Sequence, residues 1–208
     1  MLSCVNCDIK SQTREELQAQ FQAWDQPAFR ASQLLEWLYL HRVIRWDAMT
    51  NLPASLRQRL SQHYSLDALT LVRRQGAPDA TQKFLWRLSD GAMIESVLIP
   101  ANPALYGDAS DRHTLCVSTQ VGCAYGCKFC ASGLDGWKRN LGVAEIVEQV
   151  LAIERWHATE GPRSDVQGPK SKVQGRRTLP PLRIPDQLFR TTLHALRSTL
   201  PPPRIPVW

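Results

Sequence analysis

Several features that mark other classes of protein are scarce or missing in this sequence of 208 residues. No uninterrupted apolar run approaches the roughly 20 residues that a membrane-spanning helix needs, and aromatic residues make up only 8% of the chain. The first residues, MLSCVNCDIK, lack a basic segment followed by an apolar stretch, which argues against a secretory signal. We therefore expect a cytoplasmic protein that does not associate with membranes.

The chain also lacks an excess of charge over most of its length. Residues 1–159 contain 16 Lys or Arg and 16 Asp or Glu, which cancel, whereas residues 160–208 contain 9 basic and 3 acidic residues. The whole net charge of +6 therefore lies in the final segment, together with 9 of the 14 prolines. The basic balance of the chain is thus no argument that its body binds nucleic acid.

Residues 1–75 have the pattern of a helical N-terminal domain. Thr13 and Glu16 have the spacing of a capping box, which satisfies free amides at the start of a helix. Apolar side chains then recur at helical spacing in three segments: Leu17, Phe21 and Trp24; Leu34, Leu35 and Leu38; and Leu56 and Leu60. The second of these helices is expected over residues 31–41. Two interpretations remain open, a small helical bundle or a helical module that binds RNA.

Residues 76–100 predict a β-hairpin. Apolar and polar residues alternate over residues 83–88, a turn follows at Ser89-Asp90-Gly91, and a return strand covers residues 93–99. Glu95 lies within the return strand. Its carboxylate is expected either on the solvated face of the hairpin or at a functional site, and the local pattern favours the solvated face.

Residues 101–157 predict a single βα unit, and residues 158–208 predict an irregular tail. A β-rich run over residues 114–121 leads into a cysteine-rich loop, and apolar residues from Val143 to Leu151 then follow helical spacing. In the tail, a short Val-Gln-Gly repeat and many prolines exclude regular structure over most of the segment. Three interpretations are open: a disordered tail, a basic arm that binds RNA, or a segment foreign to the fold, which we favour.

Three of the six cysteines form a C-x3-C-x2-C motif, namely Cys123, Cys127 and Cys130. In a cytoplasmic chain such clustering indicates metal binding rather than disulfides. A structural zinc site usually takes four protein ligands, whereas three thiolates on one loop suit a 4Fe–4S cluster with one iron left open. A zinc site is the weaker alternative.

The other cysteines carry less information. Cys4 and Cys7 are either exposed thiols or half of a zinc knuckle for which no second pair is evident. Cys116 lies on the predicted strand, where a lone cysteine is usually a small buried residue. Its position shortly before the motif weakens that interpretation.

The motif is part of a longer pattern. Phe129 precedes its last cysteine, as in radical S-adenosylmethionine (SAM) enzymes, and further matching segments cover residues 29–39, 49–53, 83–88, 94–100, 114–123, 136–141 and 145–150. Together these segments, over roughly residues 15–156, resemble the RlmN/Cfr family of radical SAM adenine methyltransferases. The helical N-terminal region and the Thr-Asn-Leu-Pro segment favour the RlmN type over its carbon-8 relative Cfr.

The resemblance implies a fold, an activity and a set of cofactors. The fold is α/β: a helical N-terminal domain, a β-hairpin and the first βα unit of a partial (β/α)6 barrel, followed by the irregular tail. The activity is methylation of carbon-2 of adenosine in 23S rRNA and tRNA through a methyl-cysteine intermediate. The cofactors are SAM and a 4Fe–4S cluster held by Cys123, Cys127 and Cys130. An electron donor such as flavodoxin is implied as a partner, and a monomer is expected.

The resemblance also implies roles for residues outside the motif. Glu95 matches the proton acceptor of the family, which reverses the expectation from the local pattern, and Cys116 matches the cysteine that resolves the covalent protein–RNA adduct. Arg112, Lys138 and Arg139 flank the site and are candidates for contacts with RNA phosphates.

The sequence departs from the family pattern near residue 157. It contains neither the Gly-Glu-Pro segment that the resemblance implies for SAM binding nor any cysteine after Cys130 to carry the methyl group. Two hypotheses therefore stand. The chain is the N-terminal part of an RlmN-type methyltransferase, or it is a truncated, inactive remnant that binds an iron–sulfur cluster or RNA.

Overall fold

The computed structural model describes residues 7–77, 80–100, 113–125, 127 and 130–160. Cys4, Arg112, Phe129 and most of the predicted tail lie outside these residues. The helices are α1 (Arg14–Ala23), α2 (Phe29–Leu35), α3 (Ala54–His63) and α4 (Val143–Glu160). The strands are β1 (Cys7–Asp8), β2 (Tyr64–Ser65), β3 (Thr70–Gln75), β4 (Gln82–Arg87), β5 (Met93–Pro100), β6 (His113–Cys116), β7 (Gln120–Val121) and β8 (Arg139–Asn140).

The first three helices surround one hydrophobic core. The predicted capping box is present at α1: the amide of Glu16 donates to Thr13 Oγ1 at 3.2 Å, and the amide of Thr13 donates to Glu16 Oε2 at 2.8 Å. The apolar positions predicted from helical spacing are buried almost without exception, because they face the same interior. The core residues are Ile9, Leu17, Phe21, Trp24, Ala31, Leu34, Leu38, Met49, Leu52, Leu56, Leu60 and Tyr64.

The second predicted helix has a different form from the one expected. It begins at Phe29 and changes after Leu35 into a π-helical turn, Glu36–Leu40. The segment ends at Arg42, which adopts the left-handed conformation with φ of 54°. That backbone geometry is unusual outside glycine and does not continue a right-handed helix.

Strands β3 to β6 form an antiparallel sheet in that order, which includes the predicted hairpin. The hairpin turn is closed by Asp90, whose Oδ1 accepts from the amide of Ala92 at 2.9 Å, and Gly91 has a φ of 83°. The helices of the N-terminal unit end at His63, so β3 lies before the predicted domain limit at residue 75. The period of two that the sequence shows from about Leu69 thus continues into a strand whose six residues are all exposed. The domain limits themselves stay predictions.

The single strand predicted over residues 114–121 is wrong. The structure has two short strands instead: β6 pairs antiparallel with β5, and β7 pairs with β8 in a separate two-stranded sheet. Residues 117–119 separate the two strands. The break is held by a contact with α4, in which the Gln149 side chain is hydrogen-bonded to the backbone of Ser118.

Helix α4 packs on the inner face of the four-stranded sheet and forms a second core. The rings of Phe84 and Trp86 stack with centroids 5.6 Å apart, and Trp156 of α4 meets Phe84 edge-on at 4.9 Å. The other buried residues of this core are Leu88, Ile94, Leu98, Val121, Leu141, Ala152 and Ile153. Among the described residues, no helix has both the length and the apolar character needed to cross a bilayer.

Buried ion pairs join the N-terminal unit to α4. The ammonium of Lys10 is only 2% exposed and lies 3.0 Å from Asp8 Oδ2 and 3.3 Å from Glu148 Oε2. It also donates to the carbonyl of Asp67 at 2.5 Å. Burial raises the pKa of Asp8, although Lys10 acts in the opposite direction. A second ion pair, between Arg42 and Glu154, joins the same two parts of the molecule.

Candidate functional site

Both candidate catalytic residues lie on the open face of the four-stranded sheet. Val97 of β5 pairs directly with Cys116 of β6, and Glu95 is two residues before Val97 on the same strand. Residues two apart on a strand share a face, so Glu95 and Cys116 occupy diagonal positions, which lie on the order of 7–8 Å apart in antiparallel sheets. Both residues are exposed. The structure therefore brings these two residues together on one accessible surface.

The carboxylate of Glu95 has a defined partner on this face. Lys83 Nζ lies 2.9 Å from Glu95 Oε1, and the two side chains are 45% and 46% exposed. An ion pair this accessible adds little to stability, but it orients the carboxylate along the sheet. The backbone of Glu95 is held as well, because its carbonyl accepts a hydrogen bond from Ser118 Oγ at 2.7 Å.

The cysteine motif lies in a loop whose ends are joined by β7 and β8. Gln120 pairs with Asn140, and Val121 pairs with Arg139. At the start of the loop, Gly122 has a φ of 76°, and a Cβ atom added there would lie 1.9 Å from the carbonyl oxygen of Gly136. Only glycine permits this close backbone crossing. The base of the loop is therefore fixed by the fold.

The three motif cysteines are half-buried, and none of them forms a disulfide. The amide of Cys130 donates to the carbonyl of Cys127 at 3.1 Å, which places these two residues in one turn. Within the described parts of the chain, no three His, Cys, Asp or Glu side chains are grouped as a metal site. The structure thus places Cys123, Cys127 and Cys130 on one loop without bringing their side chains together as such a group. As a donor set the three fit an iron–sulfur cluster, since clusters of this kind take Cys sulfur as ligand.

Arg139 ties the base of the cysteine loop to two neighbouring elements. Its guanidinium donates to Asp90 Oδ2 at 2.7 and 3.0 Å, and to the two carboxylate oxygens of Glu145 at 2.7 and 2.8 Å. Asp90 belongs to the β4–β5 turn, and Glu145 to the first turn of α4, where its Oε2 also accepts from the amide of Gly142 at 2.7 Å. The donors of Arg139 are therefore already bound to two carboxylates. The contact with RNA phosphate that the sequence suggested would compete with these carboxylates.

The charges in this network reinforce one another. The hydrogen bonds that Arg139 donates to Glu145 and Asp90 raise the pKa of Arg139, so its guanidinium stays charged. The amide of Ala92 and the guanidinium of Arg139 lower the pKa of Asp90. Burial acts to raise the pKa of Glu145, but the bonds from Arg139 and Gly142 outweigh it, and the pKa lies below its ordinary value.

Large side chains of the cysteine loop are exposed to solvent. Tyr125 is 89% exposed, Leu134 71% and Trp137 43%, and Lys138 beside them is exposed as well. Sequence analysis singled out Lys138 but neither aromatic residue. An aromatic next to a basic residue in a loop is a signal that could have identified them as candidate contacts for nucleic-acid bases.

Comparison with known proteins agrees with this arrangement. Residues 7–66 match the family model described as ribosomal RNA large subunit methyltransferase N-terminal domain. A probable dual-specificity RNA methyltransferase RlmN from Akkermansia muciniphila is 47% identical over 146 residues, which is 70% of this chain and 41% of that protein. Over its matched residues the chain is similar to RlmN proteins.

Other RlmN proteins show the same extent of similarity. The one from Chloroherpeton thalassium is 46% identical over 156 residues, which is 73% of this chain and 41% of that protein. RlmN 3 from Opitutus terrae is 48% identical over 145 residues, 70% of this chain and 39% of that protein. The chain thus spans about two fifths of the length of the RlmN relatives it matches.

A solved structure supports the fold. The crystal structure of a radical SAM methyltransferase from Sphaerobacter thermophilus superposes with a TM-score of 0.63 at 41% identity, covering 73% of this chain and 42% of that one. The α/β fold class and the RlmN resemblance inferred from the sequence are confirmed. The roles of Glu95, Cys116 and the three motif cysteines stay predictions.

Proposed function

We propose that this chain forms the N-terminal part of a radical SAM methyltransferase that methylates carbon-2 of adenosine in 23S rRNA and tRNA through a methyl-cysteine intermediate. The observation that carries this proposal is that the open face of the sheet is connected to the loop that contains the three motif cysteines. Glu95 and Cys116 share the open face of the sheet, and the chain passes from Cys116 directly into the loop with the three motif cysteines. The names of the RlmN relatives support RNA as the substrate.

In this proposal, Cys123, Cys127 and Cys130 would hold a 4Fe–4S cluster, and SAM would be the second cofactor. Together these groups would supply the radical chemistry required to methylate an aromatic ring carbon that is too weak a nucleophile for polar methyl transfer. The protein contributes sulfur donors that no disulfide occupies and a loop whose base is fixed by the close contact between Gly122 and Gly136.

The two residues on the sheet would act on the RNA adduct. Glu95 would take up the proton released from the adenine ring, and Lys83 would keep the carboxylate directed along the open face. As a thiolate, Cys116 would attack the sulfur of the thioether that links protein to RNA. A sulfur–sulfur bond would form, the carbon–sulfur bond would break, and the carbon left on the base would take up a proton to become the methyl group. The exposed position of Cys116 suits this attack. The placement of Glu95 and Cys116 on one face supports these two roles, because both side chains must reach the same base.

The remaining partners follow from the same proposal. Tyr125, Trp137 and Lys138 lie on the exposed side of the loop, where aromatic rings stack with unpaired RNA bases and an ammonium contacts phosphate. We further propose a monomer in the cytoplasm that receives electrons from a carrier such as flavodoxin.

A second candidate function is cluster or RNA binding without methylation. The observation that favours it is the proline-rich, basic composition of residues 158–208, which departs from the family pattern. This candidate predicts iron binding without any methylated product.

Anaerobic reconstitution with iron and sulfide tests both candidates. We expect about four irons per chain, loss of iron in Cys123→Ala, and retention of iron in Cys116→Ala, which serves as the matched cysteine variant. Incubation with SAM, a one-electron reductant and 23S rRNA or tRNA transcripts should then give 2-methyladenosine, detected by mass spectrometry, when the chain is extended by the remaining part of an RlmN protein that supplies a methyl-carrying cysteine. Iron without product would favour the second candidate, and bound zinc with no iron would refute both in favour of a zinc site.

A further inference from the structure

We propose that Gln149 is a positioning residue, which holds the segment between β6 and β7 and so fixes the spacing of Cys116 and Glu95 on the open face. The sequence offers no sign of this role, since Gln149 is one polar residue on a long helix. The importance of the spacing for catalysis rests on the proposed function. The positioning itself can be measured without any catalysis.

The amide of Gln149 is fully buried and makes four hydrogen bonds. Its Oε1 accepts from the backbone amide of Ser118 at 2.9 Å and from Ser96 Oγ at 2.8 Å. Its Nε2 donates to the backbone carbonyl of Ser118 at 2.9 Å and to the carbonyl of Glu145 at 3.4 Å. The side-chain oxygen thus meets only donors, and the side-chain nitrogen meets only acceptors.

The two bonds to Ser118 replace those of a neighbouring strand. In an antiparallel sheet a residue exchanges both its N–H and its C=O with the residue opposite. Pairing of β6 with β5 ends at Cys116, so Ser118 lies beyond the register of the sheet. Gln149 supplies a donor and an acceptor at this point, and it holds the backbone where the sheet no longer does.

The hydrogen bonds between Gln149 and the Ser118 backbone, called the clamp below, are connected to both candidate catalytic residues. Cys116 is two residues before Ser118 in the chain, and the carbonyl of Glu95 accepts from Ser118 Oγ at 2.7 Å. From the other side, Ser96 Oγ accepts from Trp86 Nε1 at 3.2 Å while it donates to Gln149. A displacement of Ser118 must therefore alter the strand end that carries Cys116 and the backbone at Glu95 together.

A matched control exists, because a second glutamine is buried in the same part of the molecule. Gln82 on β4 is 2% exposed and accepts from Arg74 at 2.8 Å. It pairs with Leu98 and no hydrogen bond joins it to Ser118 among the described residues. Replacement of Gln82 by leucine thus removes a buried amide of the same size without touching the clamp.

The first test compares Gln149→Leu with Gln82→Leu by two local measurements. These are the hydrogen exchange rate of the Ser118 amide and the pH dependence of Cys116 alkylation, followed by site-resolved mass spectrometry. We expect Gln149→Leu to accelerate exchange at Ser118 on the order of tenfold, the effect of losing hydrogen bonds of ordinary strength. We also expect it to shift the alkylation profile of Cys116. Gln82→Leu should leave both unchanged even where it lowers stability.

The second test uses Gln149→Glu, in which the charge of one side chain decides whether the clamp can form. A protonated carboxyl can donate to the Ser118 carbonyl and accept at its other oxygen, whereas an ionised carboxylate only accepts. The Ser118 amide resonance of Gln149→Glu should therefore match the original chain in acid and move away from it on ionisation, when the bond to the Ser118 carbonyl is replaced by repulsion between two oxygens. A residue needed only for packing would not give this recovery.

The proposal is overturned if Gln149→Leu leaves exchange at Ser118 and alkylation of Cys116 unchanged, or if Gln82→Leu alters them equally. Where the chain methylates RNA, Gln149→Leu should lower kcat and leave KM for RNA unchanged. A chain that makes no 2-methyladenosine contradicts the proposed function alone, because the measurements at Ser118 and Cys116 decide the role of Gln149 in either case.

Discussion

Replacement of Arg139 should release the base of the cysteine loop. In Arg139→Gln the planar cation is lost, so the β4–β5 turn and the start of α4 are no longer joined through the strand that closes the loop. Asp90 and Glu145 are left without their common partner. The change alters one side chain and leaves the cysteines and the hydrophobic core in place.

The structure indicates the size of the effect. Asp90 is 46% exposed, so solvent screens its pair with Arg139 and the loss there is about 0.5 kcal/mol. Glu145 is 24% exposed and bound through both oxygens, so its loss is about 1 kcal/mol. The sum, about 1.5 kcal/mol, corresponds to roughly a tenfold increase in the population of chains whose loop is open.

Chymotrypsin under native conditions measures this population, because cleavage within the loop follows the fraction of open chains when opening is fast. Arg45→Gln is the matched control, since Arg45 forms an exposed pair with Asp47 in the N-terminal unit. We expect faster cleavage after Tyr125 in Arg139→Gln and no change in Arg45→Gln. Equal cleavage of Arg139→Gln and the original chain would refute the anchoring role.

The effect should also depend on pH. Both carboxyl groups have pKa values below their ordinary range in the folded protein, so their stabilising contribution is present above the unfolded-state pKa of about 4. It is lost as the pH falls through the lowered folded values. The difference between Arg139→Gln and the original chain should therefore shrink in acid, and a difference that grows in acid would contradict this reasoning.

Three further predictions concern other parts of the molecule. Lys10→Met leaves the buried carboxylate of Asp8 without its cation and removes one of the two cations of Glu148, which keeps Arg155. The free energy of unfolding in urea should therefore fall by about 3 kcal/mol, and an unchanged midpoint would refute the role of Lys10. Gly122→Ala places a methyl group against the carbonyl of Gly136 and should abolish iron uptake, whereas Gly91→Ala, where the space is open, should retain it. Burial, with a neighbouring histidine, lowers the pKa of His157, so stability should decline as the pH falls below about 6.5; His157→Asn should flatten this decline in thermal unfolding.

The parts of the fold that were predictable depend on neighbours in the sequence. The capping box of Thr13 and Glu16 and the hairpin turn at Asp90 use partners within three residues, and their spacing is visible in the sequence. The motif cysteines were recognisable for the same reason. The period of two from about Leu69 also covers β3, but its pairing with β4 could not be read from the sequence, because all six β3 residues are exposed.

The parts that were missed depend on partners far away in the chain. The break between β6 and β7 is held by Gln149, which lies 31 residues beyond Ser118. Arg139 finds Asp90 at a separation of 49 residues. The identity of a charged or amide residue does not show whether its side chain contacts solvent, RNA or a distant carboxylate. Only the folded arrangement could therefore assign these roles.

The short parallel pair of β1 and β2 has a consequence for the history of this chain. Cys7 lies opposite Tyr64 and Asp8 opposite Ser65, which are nearly the limits of the region that matches the N-terminal family model. A module whose entry and exit points are adjacent can be gained, exchanged or deleted in a gene without stretching the host fold. Residues 7–66 therefore enter and leave the rest of the fold at neighbouring points, which suits a unit that can be inserted ahead of the sheet without stretching it.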